Sequence, residues 1–276
     1  MTGRKDIDPA ALSHYFTTCR VSFGERTLLK GIFTLLPGRF KLFSLKSGES
    51  KESVYWQRPI LSEEEKQEQA ENDLLEETES LMNKAVVDRL VSDVPVGCFL
   101  SGGLDSAIVA TLATQENRNY PFFCAGSSVE KYNEFEYARA VAKRLSCNVE
   151  NVVVTPETFF DDWQMLIREK GLPLSTPNET SIYRLSKALR ESCKVVLTGE
   201  GADEVFGGYL MPHFGVHDLK KLPHTPEDAE SHSLYYNAMQ RYGRPFVFNE
   251  EDHFFLTHSW MPVEQKRKLF QEDLWQ

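Results

Sequence analysis

The sequence lacks the features that are typical of membrane-spanning, secreted and nucleic-acid-binding proteins. No apolar run approaches the roughly 20 residues of a membrane span, and the N-terminal residues lack the basic-then-apolar pattern of a secretory signal. Basic side chains are in deficit, because 31 Lys and Arg face 41 Asp and Glu, which gives a formal net charge of −10. An acidic surface argues against general binding to nucleic acid or to anionic membranes. We therefore expect neither as a partner.

Cysteine is scarce, and its spacing contains no C-x-x-C pair of the kind that binds zinc or performs redox chemistry. Cys98 and Cys124 fall in apolar runs that predict buried strands, where cysteine acts as a small apolar side chain. The five cysteines are Cys19, Cys98, Cys124, Cys147 and Cys193. This usage suits a reducing compartment, and we predict a cytoplasmic protein.

The sequence also has no G-x-x-x-x-G-K-S/T pattern, which excludes the common Walker phosphate loop. Its 276 residues, 41% of them hydrophobic and 26% charged, are typical of a soluble globular protein. The chain is long enough for one large domain or two small ones. A nucleotide site, if present, must therefore be built on another kind of loop.

Residues 94–106, with the sequence V-P-V-G-C-F-L-S-G-G-L-D-S, form such a loop. The apolar run 94–100 predicts a buried strand of a parallel sheet, followed by a polar turn over 101–106. A helix is predicted to start near Ala107. This order places backbone N–H groups and two hydroxyls at the positive end of a helix dipole, where a phosphate or pyrophosphate binds.

The residue types in this turn fit that role. Gly102 and Gly103 allow a close backbone approach, and Ser101 and Ser106 supply the two hydroxyls. Asp105 can hold a cation against the bound anion. The alternative, a tight glycine turn without a ligand, stays open.

A second segment follows another short apolar run, 194–197. It reads T-G-E-G-A-D-E-V-F-G-G-Y and ends at Tyr209. Acidic side chains and glycines are crowded here in a way that destabilises a fold unless a ligand compensates. They are Glu200, Asp203, Glu204, Gly199, Gly201, Gly207 and Gly208.

Together the two motifs resemble the synthetase domain of glutamine-dependent asparagine synthetases. The S-G-G-L-D-S loop alone also resembles enzymes that make NAD, GMP, argininosuccinate or thiolated tRNA and cleave ATP between its α and β phosphates. The G-E-G-A-D-E-V-F-G-G-Y segment narrows the resemblance to asparagine synthetases and their β-lactam synthetase relatives.

The resemblance implies the cofactors ATP and Mg²⁺ and a set of site residues. Asp105 and Asp203 would hold Mg²⁺, and Glu200 would lie beside the acyl-adenylate as the catalytic residue, taking a proton from ammonia. The implied ATP and pyrophosphate-binding residues are Leu100, Ser101, Gly102, Gly103, Leu104, Asp105, Ser106, Gly126, Thr198 and Gly199.

The connection from Gly171 to Thr180 contains two prolines that disfavour a helix. By the resemblance it helps to build the amino-acid pocket, which makes Ser175, Thr176 and Asn178 candidates for the substrate site. An ordinary proline-rich connection is the alternative.

The fold predicted beyond Val94 is α/β, with strands and helices in alternation. Such alternation predicts a parallel sheet with helices on both faces, and ligands bind at the carboxyl ends of its strands. The resemblance implies an adenine nucleotide alpha-hydrolase-like sheet. Strands are predicted at 94–100, 121–126, 149–154 and 194–198, and helices at about 107–116, 134–145, 156–170 and 180–192.

The N-terminal part is predicted to form smaller elements. Asp8-Pro9 predicts a helix start, and Pro37-Gly38 predicts a hairpin between 31–36 and 39–45. Ser62 with Glu65 forms a capping-box pattern that predicts a helix reaching about Val91. By the resemblance, 1–58 is a remnant of the glutaminase domain, 59–93 a linking helix and 94–276 a C-terminally incomplete ATP-pyrophosphatase domain.

The function implied is ATP-dependent asparagine synthesis from aspartate through β-aspartyl-AMP, with release of AMP and pyrophosphate. Aspartate, ATP and glutamine or ammonia are the small-molecule partners. The alternatives are a related amide-forming ligase, such as a β-lactam synthetase or a surface-product tailoring enzyme, and a non-catalytic nucleotide-binding fragment. The oligomeric state stays open, with a homodimer as one alternative.

Two departures from the family lower the activity that we expect from the isolated chain. Position 2 is Thr2, where the family has the glutaminase cysteine. An E-x-R-x-P-F-L-D motif and a later lysine are not found, since Arg244-Pro245-Phe246 matches only part of that motif. We expect the chain to fold and hold ATP but not to make asparagine at a useful rate.

Overall fold

The computed structural model describes residues 6–60, 62, 70–117, 119–209, 260–261 and 263–270. The contacts within the chain divide it into two compact units, residues 60–206 and residues 1–59 together with 207–276. The three-segment organisation predicted from the sequence stays a prediction. Arg244-Pro245-Phe246 and Glu65 lie outside the described residues.

The first helix, α1 (Pro9–Thr18), begins where the sequence predicts. The Asp8 carboxylate accepts hydrogen bonds from the N–H groups of Ala10 and Ala11, at 3.0 and 3.1 Å. The helix ends at Cys19, whose backbone is left-handed with φ 58°. Two short strands follow, β1 (Ser22–Phe23) and β2 (Arg26–Thr27), paired antiparallel.

The predicted hairpin about Pro37-Gly38 is wrong. Strand β3 (Arg39–Phe43) pairs antiparallel with β4 (Ser50–Val54), while residues 31–36 contribute an isolated bridge through Phe33. Gly38, with φ +70°, instead accepts hydrogen bonds at its carbonyl from the N–H groups that follow β4. The turn at Pro37-Gly38 comes before β3, and the chain returns to pair as β4 through residues 44–49, where the Ser44 N–H donates to the Glu49 carbonyl at 2.9 Å.

Helix α2 (Glu71–Leu90) starts later than predicted. Ser62 is not helical, and Ala70 has an extended backbone with φ −65° and ψ 143°. Because Ala70 is extended, the predicted single helix from Ser62 to Val91 is wrong, whereas the end near Val91 is confirmed. No side chain caps the start of α2, which explains why a capping signal could not locate it.

The unit 60–206 contains the predicted parallel sheet of four strands. The sheet order is β7-β6-β5-β8, so β5 is central, and all three pairings are parallel. The elements are β5 (Val96–Phe99), α3 (Leu104–Glu116), β6 (Phe122–Ser127), α4 (Phe135–Leu145), β7 (Val149–Val154), α5 (Pro156–Lys170), α6 (Asn178–Leu189), β8 (Val195–Leu197) and α7 (Ala202–Phe206).

Helices cover both faces of this sheet, as predicted. On one face Cys98 and Cys124, 0% and 1% exposed, pack with the alanines of α3 and α4 and with Val86 of α2. On the other face Phe123 packs against Leu189 of α6. Successive strand residues point to opposite faces, so each strand contributes to both clusters. The two cysteines are core side chains, as the sequence indicated.

Two helix starts differ from the prediction in a way that affects the site. Helix α3 begins at Leu104, three residues before Ala107, so Asp105 and Ser106 lie in its first turn rather than in the loop. Helix α6 begins at Asn178 rather than at 180. In the part of the chain that the structure describes, no helix is long and apolar enough to cross a membrane.

Candidate functional site

The Ser101–Ser106 loop and the second segment, residues 198–209, meet at the carboxyl edge of the sheet. Strands β5 and β8 are neighbours, with Cys98 opposite Leu197, so both segments leave adjacent strand ends. A Cβ atom added to Gly199 would lie 2.7 Å from the Ser106 nitrogen and 2.9 Å from the Asp105 Cβ. The second segment therefore rests directly on the first turn of α3, and a glycine is needed at the contact.

The loop between β5 and α3 is held by its two serines. The Ser101 N–H donates to Ser106 Oγ at 3.2 Å, and the two hydroxyl oxygens are 3.0 Å apart. The Gly103 N–H donates to Ser101 Oγ at 3.2 Å, and the Ser106 hydroxyl donates to the Gly103 carbonyl at 3.1 Å. Ser106, which is only 8% exposed, thus joins both ends of the loop and fixes its shape, while Ser101 and Gly103 remain exposed.

Gly102 lets this loop pack against α4. Its φ is +85°, in the left-handed region, and an added Cβ would lie 2.5 Å from the Tyr137 Cβ and 2.6 Å from the Ala138 nitrogen. A side chain at this position would meet both backbone strain and backbone atoms. The next residue, Gly103, precedes α3 without a side-chain cap, so no side chain blocks the end of the helix.

The acidic candidates lie on both segments. Asp105 is in the first turn of α3, and Asp203 is in α7. Glu200 is exposed, and its N–H donates to Thr198 Oγ1 at 3.2 Å. No cluster of three or more His, Cys, Asp or Glu that could hold a metal occurs among the described residues. Two carboxylates are nevertheless a suitable set for Mg²⁺ that is also bound by phosphates.

A cavity of about 570 Å³ lies beside the first loop. Five of the residues predicted for the site line it: Leu100, Ser101, Gly126, Asn178 and Glu200. Phe123, in the strand that by the resemblance receives the adenine, also lines it. The walls that sequence reasoning missed include Ser127, Glu134, Phe159, Ser181, Ile182 and Leu185. Three of these share the spacing of one helix face with Asn178, which is the signal that could have found them.

The described lining of this cavity is apolar and neutral apart from two carboxylates, Glu134 and Glu200; it includes no Lys, Arg or His. Cys124 also lines the cavity, and burial is the largest cause that raises the pKa of its thiol to about 11. The thiol is therefore protonated near neutral pH and is not an activated nucleophile. The cavity suits an uncharged, partly apolar ligand group.

Ser175 and Thr176 do not line this cavity, unlike Asn178. The Ser175 N–H donates to Glu179 Oε1 at 2.6 Å. The carbonyl of Thr176 accepts from the Glu179 N–H at 3.3 Å. The observed role of both residues is to shape the turn before α6.

The asparagine synthase family model matches residues 77–271, more than half of the chain. Asparagine synthetase 1 (glutamine-hydrolysing) of Bacillus subtilis is 31% identical over 152 residues, which cover 55% of this chain and 23% of that protein. A putative glutamine-hydrolysing asparagine synthetase of Mycobacterium tuberculosis is 31% identical over 211 residues, covering 75% and 31%.

A third relative, amidase chyE of Penicillium rubens, is 28% identical over 201 residues, which cover 67% of this chain and 30% of that protein. The chain thus spans about a quarter to a third of the length of these curated relatives. The family match includes the first loop, the second segment and the cavity walls between them. The chain belongs to the asparagine synthase family.

Proposed function

We propose that this chain binds MgATP at the carboxyl edge of its sheet and uses it to form an amide. The reaction proposed is asparagine synthesis from aspartate through β-aspartyl-AMP, with glutamine or ammonia as the nitrogen source. The observation that carries the proposal is the contact between the Ser101–Ser106 loop and the Thr198–Glu200 segment beside one cavity. Family membership supports the same chemistry.

The cavity is proposed to receive the adenosine part of ATP. Its volume of about 570 Å³ lies within the range of about 300–1,000 Å³ that is usual for small-molecule sites. Its neutral lining suits a base and a ribose, and Phe123 and Leu185 offer apolar contacts. The phosphates would then extend to the Ser101–Ser106 loop, where the start of α3, which no side chain caps, favours an anion.

Asp105 and Asp203 would hold Mg²⁺ together with the phosphates, since carboxylate oxygens are ligands that Mg²⁺ prefers. The ion would neutralise negative charge on the pyrophosphate as it leaves. The chain itself would contribute the hydroxyls of Ser101 and Ser106, which would exchange their internal hydrogen bonds for bonds to the anion.

The chemistry proposed takes two displacements. An oxygen of the aspartate side-chain carboxylate bonds to the α-phosphorus, and the bond to the pyrophosphate oxygen breaks. Ammonia then bonds to the acyl carbon, AMP leaves, and Glu200 accepts the proton that the nitrogen loses. The aromatic and aliphatic cavity wall, including Phe159, would keep water from the adenylate.

A second candidate is amide formation on a different carboxylate. The described cavity lining has no cation to pair with the α-carboxylate of aspartate. This observation favours a carboxylate substrate other than aspartate in the same ATP-dependent reaction.

The test is the exchange of labelled pyrophosphate into ATP, which detects the adenylate even when turnover is slow. The chain is supplied with MgATP and with aspartate, glutamate or isoasparagine, in which the α-carboxylate is amidated. We expect aspartate to support the fastest exchange. Faster exchange with isoasparagine would favour the second candidate, and ATP binding without exchange would identify a non-catalytic nucleotide-binding protein.

A further inference from the structure

Helix α6 supplies part of the cavity wall but lacks a side-chain cap of its own at Pro177. The carboxylate of Glu179, in the first turn of α6, instead links the start of this helix to neighbouring residues. Glu179 Oε1 accepts from the Ser175 N–H at 2.6 Å, and Oε2 accepts from the ammonium group of Lys170. One carboxylate thus joins the end of α5, the connection between the helices and the start of α6.

A second set of contacts holds α6 farther along. The Arg184 side chain pairs with the buried carboxylate of Asp162 on α5 and donates to the Thr158 carbonyl at 3.5 Å. Near the helix start, the fully buried Thr180 donates from its hydroxyl to the Pro177 carbonyl at 2.9 Å. The helix is therefore tied to α5 at both ends of its cavity-lining stretch.

The residues that α6 presents to the cavity begin beside this carboxylate. Asn178, Ser181, Ile182 and Leu185 line the cavity and follow the i, i+3, i+4, i+7 spacing of one helix face. Within the described part of the chain, the side chains of Asn178 and Ser181 have no protein hydrogen-bond partner. A polar pair in this state is available to a ligand.

We infer that Glu179 is a positioning residue, which fixes the first turn of α6 so that the Asn178 amide faces the nucleoside of bound ATP. The inference rests on the proposed function, because it requires ATP in this cavity. Glu179 itself does not line the cavity. Its influence on the ligand passes through the neighbouring Asn178.

The two hydrogen bonds that the Glu179 carboxylate accepts contribute unequally to stability. Lys170 and Glu179 have side-chain exposures of 38% and 23%, and partly exposed ion pairs stabilise little. The bond from the Ser175 N–H to a charged acceptor is the stronger type. Burial alone would raise the pKa of Glu179, but the hydrogen bonds from Lys170 and Ser175 outweigh it and lower that pKa, so the acceptor is charged near neutral pH.

The experiment measures the Kd of MgATP by calorimetry for a set of variants of the full chain. Glu179→Ala is expected to raise Kd about tenfold, in line with the loss of one hydrogen bond to a charged group. Glu179→Gln keeps an oxygen acceptor for Ser175 and is expected to remain within about threefold of the wild type. The exposed Glu169 on the preceding helix supplies the matched control, Glu169→Gln, which should not change Kd.

A double-mutant cycle with Asn178→Ala separates positioning from general structural support. If Glu179 acts through Asn178, adding Glu179→Ala to Asn178→Ala changes Kd little further. Additive effects, or a Glu179→Ala variant that binds like the wild type, would overturn the positioning role alone. A wild-type chain that does not bind MgATP would overturn the proposed function as well. If Glu179→Ala fails to fold, the Kd values of Glu179→Gln and Lys170→Glu provide the test instead. Glu179→Gln should bind MgATP nearly as the wild type does. Lys170→Glu places a like charge beside Glu179 and should weaken binding.

Discussion

The two segments at the carboxyl edge of the sheet are built in different ways. The Ser101–Ser106 loop is closed by hydrogen bonds between its own side chains and backbone. The Thr198–Glu200 segment is set in place by backbone packing, since Gly199 lies against the first turn of α3 and leaves Glu200 exposed. The first loop is thus held mainly by hydrogen bonds within it, and the second segment mainly by the packing of Gly199 on its neighbour.

This difference matches the tasks that we propose for them. A group that binds phosphate benefits from donors that are fixed before the ligand arrives. A group that accepts a proton must keep its carboxylate free to reach the reacting nitrogen. The contrast predicts that substitutions in the first loop lower stability and ATP binding together, whereas changing the exposed acid of the second segment alters catalysis with the fold intact.

The largest effect on stability is expected where a glycine contacts backbone. Gly102→Ala combines a left-handed φ with an added Cβ 2.5 Å from Tyr137, and we expect it to lower the free energy of unfolding by about 3 kcal/mol or more. Gly199→Ala lacks the unfavourable φ and should lose about 1–3 kcal/mol. Urea unfolding measures both values.

Gly103→Ala is the steric control for these two variants. Gly103 has φ −70°, and an added Cβ would meet Ser101 Oγ at 3.3 Å. We expect the free energy of unfolding to change by less than about 1 kcal/mol. Equal losses for all three glycine variants would contradict the packing described at this edge.

The next effect concerns the hydroxyl network. Ser106→Ala removes the observed acceptor of the Ser101 N–H and one of the two donors to the Gly103 carbonyl, which keeps its bond from the Ala107 N–H. The loss should be about 1–3 kcal/mol of unfolding free energy. The double variant with Ser101→Ala should be clearly less destabilised than the sum of the single ones, because the two hydroxyls share bonds. Additive losses would show that the loop is not held by a coupled network.

The smallest effect on stability is expected for the exposed acid. Glu200→Gln should change the free energy of unfolding by no more than about 0.5 kcal/mol and leave the Kd of MgATP near the wild-type value. Ammonia-dependent amide formation should fall by about 10²–10⁴ if Glu200 is the base. Asp161→Asn, at an exposed position of α5, is a control expected to preserve both stability and rate.

The fold was predictable wherever local signals decide the structure. Helix α5 starts after Thr155, whose side chain accepts from the Thr158 N–H, and stops at Gly171 with φ 63°, as the sequence indicated. The buried strands were predictable because a parallel sheet covered on both faces needs continuous apolar runs. In these elements local preference and tertiary packing agree.

The partner of β3 was not predictable in the same way. Strand β4 (Ser50–Val54) is mostly polar and exposed, so it has no alternating apolar pattern, while residues 31–36 do look like a strand. Pairing of exposed strands depends on register and on the turn rather than on burial. The sequence therefore identified the turn at Gly38 but not that β3 pairs with the strand that follows it rather than with residues 31–36.

The candidate site, like the fold, was predictable from the sequence only in part. The meeting of both segments at one sheet edge could be predicted, because ligand-binding loops follow the carboxyl ends of parallel strands. The roles of their glycines, serines and acids stay predictions. The walls of the cavity could not, because Phe159 and Ser181 reach it only through the packing of α5 and α6 on the sheet. Ser175 was a candidate through the resemblance of its loop to an amino-acid pocket, yet its N–H bonds to Glu179 within the turn.

The most direct test of the central claim is the binding of ATP to the first loop in the presence and absence of Mg²⁺. Calorimetry is performed on the wild type, on Asp105→Ala and on Asp161→Asn, with Mg²⁺ or with a chelator. We predict Mg²⁺-dependent binding by the wild type and by Asp161→Asn, and binding at least about tenfold weaker by Asp105→Ala, since removing one partner of a bound charge leaves the other uncompensated. Binding by Asp105→Ala with the wild-type Kd and the wild-type dependence on Mg²⁺ would contradict the account.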